Sequence, residues 1–250
     1  RFGVAGTGGG GGSGADGNLN DSGAGGSGII IVRYQIGSTE TQKATGGSVS
    51  YYNNKTIHVF TSSGTFATTS NWSAATVDYV VIGGGGGGGF DAGGGGGAGA
   101  WREGSTPIGA HPVSTTIQVG AGGLGSVENA PGGVPANAHS AGTPSYFGTP
   151  ITAPAGGGGA GFGGDGQPGG SAGGGRGGGA TSSGGTGSGD AYSSGPQNSP
   201  SNGWGNDGGD GSGMGGGGGG AGGDGYNGNA SPSTNAGVGG VGLQLPTTFR

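Results

Sequence analysis

Val77-Asp78-Tyr79-Val80-Val81-Ile82 runs without a break into seven glycines, residues 83–89. The first half reads as a β-strand, because β-branched and aromatic side chains suit a pleated, buried surface. The second half has no side chain to bury, and ordering glycine costs more backbone entropy than ordering any other residue. Similar runs recur at 8–12, 93–97, 156–159, 173–175, 177–179 and 215–220. What the chain does with these runs decides its fold.

An extended threefold helix of the polyproline II type advances about 3.1 Å per residue, makes no internal hydrogen bonds and points its N–H and C=O groups outward. Packed side by side, such helices can pair those groups laterally. Only glycine permits this, since a Cβ aimed at a neighbour would hold the backbones apart, as at the collagen axis. Buried backbone groups must be paired, and a lateral lattice pairs them. The runs therefore predict a bundle of polyglycine II helices connected by loops, flanked by small antiparallel β-sheet segments. The fold class is mainly β and irregular, with no α-helix, since no window shows a 3.6-residue period.

Composition agrees. Of 250 residues 81 are glycine, 28% are hydrophobic and 8% are charged. A globular chain has about 45–50% apolar and about 25% charged residues, so a Leu/Ile/Val core is excluded for most of the length. Collagen is excluded as well, because only 12 residues are proline and no Gly-X-Y period exists. The net charge of −5 is spread thinly, which argues against a nucleic-acid partner. Without cysteine, and with three scattered histidines, there is no zinc, haem or disulfide pattern. The longest apolar stretches, Ile29 to Val32 and Val77 to Ile82, fall far short of the roughly 20 residues of a membrane span, so no membrane insertion is expected. Arg1 at one end and Arg250 at the other read as the limits of a piece of a longer polypeptide.

Composition also divides the chain. Residues 1–36 read as the end of one glycine-rich unit, closing on a strand within Ile29-Ile30-Ile31-Val32-Arg33-Tyr34-Gln35-Ile36. Residues 37–46 read as a linker, 47–82 as a β-hairpin segment and 83–250 as the polyglycine bundle with its loops. Val49 to Tyr52 and Thr56 to Phe60 flank Asn53-Asn54, residues that tolerate the positive φ of a tight hairpin turn. Thr61-Ser62-Ser63-Gly64 suggests a second hairpin between His58-Val59-Phe60 and Thr65-Phe66-Ala67. Weaker strands are expected at Thr115 to Val119 and from Tyr146-Phe147 to Ile151.

Three segments carry a resemblance. Tyr51 to Phe66 followed by Val77 to Gly86 is similar to the opening hairpin and first glycine run of the glycine-rich domain family of phage tail fibres, tail-tip adhesins and related virion proteins. Thr116-Ile117-Gln118-Val119-Gly120-Ala121-Gly122-Gly123, then Ser145-Tyr146-Phe147-Gly148 and Ala155-Gly156-Gly157-Gly158-Gly159, resembles its middle strand, connecting loop and second glycine run. Gly25-Gly26-Ser27-Gly28-Ile29-Ile30-Ile31-Val32-Arg33-Tyr34 looks like its closing strand, which here precedes the opening hairpin. That order implies a tandem array, whose second unit ends in Gly242-Leu243-Gln244-Leu245 instead of a full strand. The resemblance implies a sandwich of polyglycine helices on a virion, serving as a fibre module or displaying loops to a host. No catalytic residue comes with either role.

Other readings of the residues are weaker. Gly-x-Gly-x-x-Gly occurs by composition alone, with no Gly-Lys-Ser/Thr after a strand, so no nucleotide or other cofactor is expected. Gly11-Gly12-Ser13-Gly14-Ala15-Asp16 begins like a turn of a calcium-binding nonapeptide repeat, but Asn18 occupies the large apolar slot and no nine-residue period follows. Asp165, Asp207, Asp210 and Asp224 read as solvated loop carboxylates. Single aromatic and arginine residues in small-residue loops remain: Phe90, Trp101, Arg102, Tyr192, Trp204 and Tyr226. They either anchor a partner or receptor, as exposed aromatics and Arg do, or cap the bundle and shield its hydrogen bonds.

The expectation is thus a non-enzymatic virion structural protein, a fibre or appendage module of a tailed phage. Its expected partners are other copies, neighbouring virion proteins and a host surface receptor or glycan. The alternative is a cellular extracellular filament or matrix protein using the same packing.

Overall fold

The computed structural model describes residues 1–14, 22–36, 42–74, 76–126, 140–161, 164–178, 182–185, 205–229 and 236–249. Among the described residues ten strands form two five-stranded antiparallel sheets. In the first, β3 (Ser48–Tyr52), β4 (Lys55–Phe60), β1 (Ile29–Gln35), β6 (Thr76–Ile82) and β7 (Trp101–Pro107) lie in that order. In the second the order is β10 (Ile151–Ala153), β9 (Ser145–Phe147), β8 (Ser114–Gln118), β5 (Gly64–Thr68) and β2 (Ala44–Thr45). Among the described residues there is no α-helix, only a 3-10 turn at Thr247–Phe249.

The period of two in each strand sorts the side chains. Ile30, Val32 and Tyr34 of β1, Val77, Tyr79 and Val81 of β6 and Phe60 of β4 face Phe66, Ile117, Phe147 and Ile151 of the second sheet in one core. Phe66 touches Tyr34, His58, Trp72 and Phe147 edge-on, with ring centroids 5.2–6.2 Å apart. Ile31, Val80, Ile82 and Trp101 point the other way, where Ala221, Leu243, Leu245 and Phe249 pack onto them. The first sheet is therefore apolar on both faces, which is why Ile29 to Val32 of β1 and Tyr79 to Ile82 of β6 read as unbroken hydrophobic runs. The Leu243–Leu245 stretch forms no strand and serves as a cover.

Local chemistry explains the connections. Asn53 and Asn54 take φ of 46° and 57°, and β3 and β4 pair tightly around them as expected. The second expected hairpin does not form. β4 stays in the first sheet while β5 pairs with β2 and β8 in the second, so 61–63 carries the chain from one sheet to the other. Alternation on both sides of a polar tetrapeptide does not reveal whether two strands share a sheet. Tyr146 to Ile151 is two strands folded about Gly148, whose φ is 62°, instead of one. β7 escapes sequence reading because Glu103, Gly104 and Pro107 are poor strand formers, tolerated here on a sheet edge. β1 lies between β4 and β6, so the strand resembling a closing strand pairs with strands on either side of it within this one chain. Ala44–Thr45 of the expected linker 37–46 pairs with β5.

The glycine runs continue the strands. Residues 83–89 hydrogen-bond sideways with a period of three. Gly84 and Gly87 donate to Thr143 and Ser140, Gly85 and Gly88 to Gly26 and Gly23, and Gly86 and Gly89 to Gly97 and Gly94, at 2.9–3.0 Å. Their carbonyls accept in the same rotation, from Gly156 and Gly159, from Gly123 and Ser126, and from Gly11 and Gly14. Three directions of donation and three of acceptance make six neighbours around one threefold rod, a hexagonal packing. A methyl on Gly86 would meet the carbonyl oxygen of Gly157 well inside 3.0 Å, a separation real Cβ atoms essentially never show. This is the steric demand for glycine made explicit.

The sheets set the polarity and register of this lattice. Helices that follow strands (83–89, 120–126, 156–160) run parallel to one another, and those that precede strands (22–28, 93–100, 140–143) run antiparallel to them. Ile29 faces Ile82 in the sheet, and three residues further along each chain Gly26 faces Gly85 in the bundle. The register passes from Ile117 and Phe147 to Ala121 and Thr143 in the same way. Residues 164–176, 182–185, 205–211, 215–220, 224–229 and 236–242 add further rods to the same lattice.

Candidate functional site

Because the rods grow out of strand ends, they reverse direction at the end of the bundle away from the sheets. Gly14 and Ser126 donate to Gly89 and Gly88 there, and the Ser22 hydroxyl donates to the Gly88 carbonyl at 2.5 Å. At this end the chain leaves the described rods at 14, 126, 161, 178 and 229 and rejoins them at 22, 140, 164, 182 and 236. Rods 83–89 and 93–100 join through Phe90-Asp91-Ala92, where Asp91 and Ala92 take φ of 54° and 52°. The Arg176 guanidinium holds this turn, donating to the Asp91 carboxylate at 2.8 Å and to its carbonyl at 3.1 Å. Non-glycine residues with positive φ are uncommon and need such support.

The six residues singled out in the sequence do not gather in one place. Phe90 is buried at the turn. Trp101 and Arg102 are not in a loop but on β7. Trp101 is buried on the outer face of the first sheet, its indole N–H donating to Glu103 at 3.3 Å. Arg102 donates to the carbonyls of Pro150 and Thr152 at 3.2 and 3.1 Å and thereby ties the first sheet to the second. Tyr226 lies on a peripheral rod and is 64% exposed. Tyr192 and Trp204 lie outside the described residues; of the described residues flanking them, Gly205 stands toward the sheet end of the bundle beside Gly170, and Gly185 stands within the bundle, bonded to Gly173 and Gly208.

The aspartates have a job that their sequence setting did not reveal. The carboxylates of Asp165, Asp210 and Asp224 accept the backbone N–H groups of Ser183, Gly184 and Asp207, and the Asn227 side chain accepts from Asp210, at 2.8–3.2 Å. At the edge of the lattice, where the next rod and its carbonyls are missing, an Asp or Asn side chain supplies the acceptor. The spacing of three in Asp207/Asp210 and Asp224/Asn227 was the available signal, since three is the period of the rod. Asp16 lies outside the described residues. Among the described residues no group of three or more His, Cys, Asp or Glu could hold a metal.

Among the described residues the interior holds one titratable cluster. His58 is fully buried, its Nδ1–H donating to the Gly46 carbonyl at 2.7 Å and its Nε2 accepting the Tyr34 hydroxyl at 3.1 Å. Burial lowers the His58 pKa below the ordinary histidine value and raises that of Tyr34. Both ring nitrogens are occupied by structure, so this histidine offers no lone pair for catalysis. On the outer face Arg33 and Asp78 pair at 2.9 Å, and Ser105 donates to the same carboxylate. Burial pushes the Asp78 pKa up, but the Ser105 and Arg33 bonds outweigh it and the net shift is downward.

The molecule thus offers a stiff backbone lattice, one end rich in chain reversals, and polar side chains engaged in holding it together. Comparison with curated proteins and with solved structures finds no match. A family model does match: residues 61–249, most of the chain and all of the rods after the first two, fit that of the glycine-rich domain, and the chain belongs to this family.

Proposed function

We propose that this chain is a non-enzymatic structural module of a tailed-phage fibre or appendage, and that it meets the host surface through the segments at the far end of its bundle. The observation that carries the reading is the common reversal point of the rods. A scaffold whose stability comes from the backbone leaves its connecting segments free to vary, as loops on rigid scaffolds do. The segment 127–139, Val-Glu-Asn-Ala-Pro-Gly-Gly-Val-Pro-Ala-Asn-Ala-His, and the segment 15–21, Ala-Asp-Gly-Asn-Leu-Asn-Asp, hold much of the chemical variety in their part of the chain. The resemblance of the hairpin and strand segments to tail-fibre and adhesin domains supports the same reading.

Immunogold electron microscopy of the source particles with an antibody to the chain tests the location. Label on a phage tail or fibre is the expected result, and label on free cellular filaments would replace this reading with a matrix role. Exchanging residues 127–139 for a Gly-Ser linker of equal length should reduce host adsorption and leave thermal melting unchanged.

A further inference from the structure

Among the described residues the lattice has an unfilled position. Rod 93–100 pairs with 83–89, 8–11, 154–160, 171–174 and 216–219, which are five of the six directions that hexagonal packing offers. Rod 215–220 likewise pairs with 93–100, 172–175, 209, 226 and 237–240. The sixth direction of both falls on the same place, a cleft of about 610 Å³ walled by residues 9–13, 95–99, 217–220 and 237–242. Its apolar part is formed by Ile29, Ile31, Ile82 and Trp101 of the first sheet together with Ala221, Leu243 and Leu245 of their cover.

The walls are polar in a regular way. The carbonyls of Gly96 and Gly99 accept no hydrogen bond from the described residues, while the amides of the same two glycines donate to Gly11 and Gly8 on the opposite side. The Gly218 amide and both backbone groups of Gly10 are also unpaired among the described residues. Gly96 and Gly99 are one threefold turn apart, so their carbonyls repeat at about 9 Å along the cleft. In an interior rod such as 83–89 each such row faces a rod that completes it, and unpaired backbone groups beside apolar surface are costly.

We infer that the cleft is a docking site for an extended glycine-rich segment of a partner chain, which enters as one more polyglycine rod. Its N–H groups would pair with Gly96 and Gly99 and its carbonyls with Gly218, continuing the rod-to-rod interfaces on the cleft's four walls. This is the polyglycine counterpart of strand addition at a sheet edge, where main-chain bonds supply the affinity. A second copy of this chain is a poorer occupant, because its described rods are already built into its own lattice. The inference concerns the flank of the bundle and stands apart from host contact at its far end.

The test uses the whole chain and a fluorescein-labelled peptide of about nine glycines, three turns of the rod, flanked by lysines for solubility. Fluorescence anisotropy should show saturable binding. A peptide with valine at every third glycine should bind at least tenfold more weakly, since its Cβ atoms hold the backbones apart. Gly242→Leu and Gly239→Leu put side chains on the cleft wall. A Cβ at 242 meets nothing within 4 Å, and one at 239 meets only the Gly218 oxygen, at 3.6 Å. Both variants should melt as the parent does and bind the glycine peptide at least tenfold more weakly. Absence of saturable binding, equal binding of the valine peptide, or undiminished binding by both variants would overturn the proposal. So would self-association in sedimentation that the two substitutions abolish, because the occupant would then be a second copy.

Discussion

Replacing Gly86 by alanine adds one methyl group at the centre of the lattice, and the expected cost is large. The new carbon falls on the carbonyl oxygen of Gly157, which itself accepts from the Gly97 amide at 2.8 Å. To admit it, rods 83–89 and 156–159 must separate, and residue 86 must loosen its bonds to Gly97 and from Gly11, both 2.9 Å. Three backbone hydrogen bonds at about 1 kcal/mol net each, with overpacking of about 1–3 kcal/mol, put the loss at about 4–6 kcal/mol if no rod relaxes. Partial relaxation leaves about 4 kcal/mol, which for a chain of this size lowers the melting temperature by roughly 8–16 °C. Gly242→Ala is the matched control. It has open space around the added methyl and should change stability by less than about 1 kcal/mol. Thermal and urea unfolding of the two variants read the difference directly. Similar destabilisation by both, or a Gly86→Ala protein that melts like the parent, would refute lateral backbone packing as the source of stability.

Four further outcomes follow from the same geometry. His58 is held below its ordinary pKa, so in the window just below about 6.5 the unfolded chain binds a proton that the folded chain does not. Stability should fall as the pH drops through that window, and a His58→Gln protein should lose that slope in unfolding measurements. The net lowering at Asp78 makes its contribution fully present above about 3.8, and it should be lost at more acidic pH. Phe249→Ala removes the ring over which the Arg33 guanidinium sits at 4.3 Å, together with part of the cover on the outer face. About 1–2 kcal/mol of stability should go with it in denaturant unfolding. Arg176→Ala frees the turn at 90–92 from its clamp and should raise hydrogen exchange at the bonded amides beside it, Gly94 and Gly177, before it lowers the global melting temperature.

The strand–glycine junction at Ile82 and Gly83 carried most of the fold. A buried strand must continue somewhere, and a run without side chains can continue only by pairing its backbone. What the sequence concealed was partition. Nothing in Thr61-Ser62-Ser63-Gly64 distinguishes a hairpin turn from a passage between sheets, because the distinction lies in distant partners, Ser114–Gln118 for β5 and Ile29–Gln35 for β4. Trp101 and Arg102 read as loop residues because Gly104 and Pro107 dilute the strand behind them. Burial on the apolar outer face places Trp101, and carbonyls of a strand about fifty residues away hold Arg102. The aspartates read as solvated loop carboxylates because their partners are backbone amides, which leave no trace in composition. Their threefold spacing becomes meaningful only once the rod is known.

Backbone hydrogen exchange of residues 84–89 tests the central claim most directly. If the glycine lattice replaces a side-chain core, the amides of Gly84, Gly85, Gly86, Gly87, Gly88 and Gly89 should exchange as slowly as those of Val80 and Val81 in the adjoining strand, opening only with global unfolding. Exchange of these glycines at the rate of an unfolded peptide, beside protected strands, would mean that the runs hang from the sheets without forming a lattice.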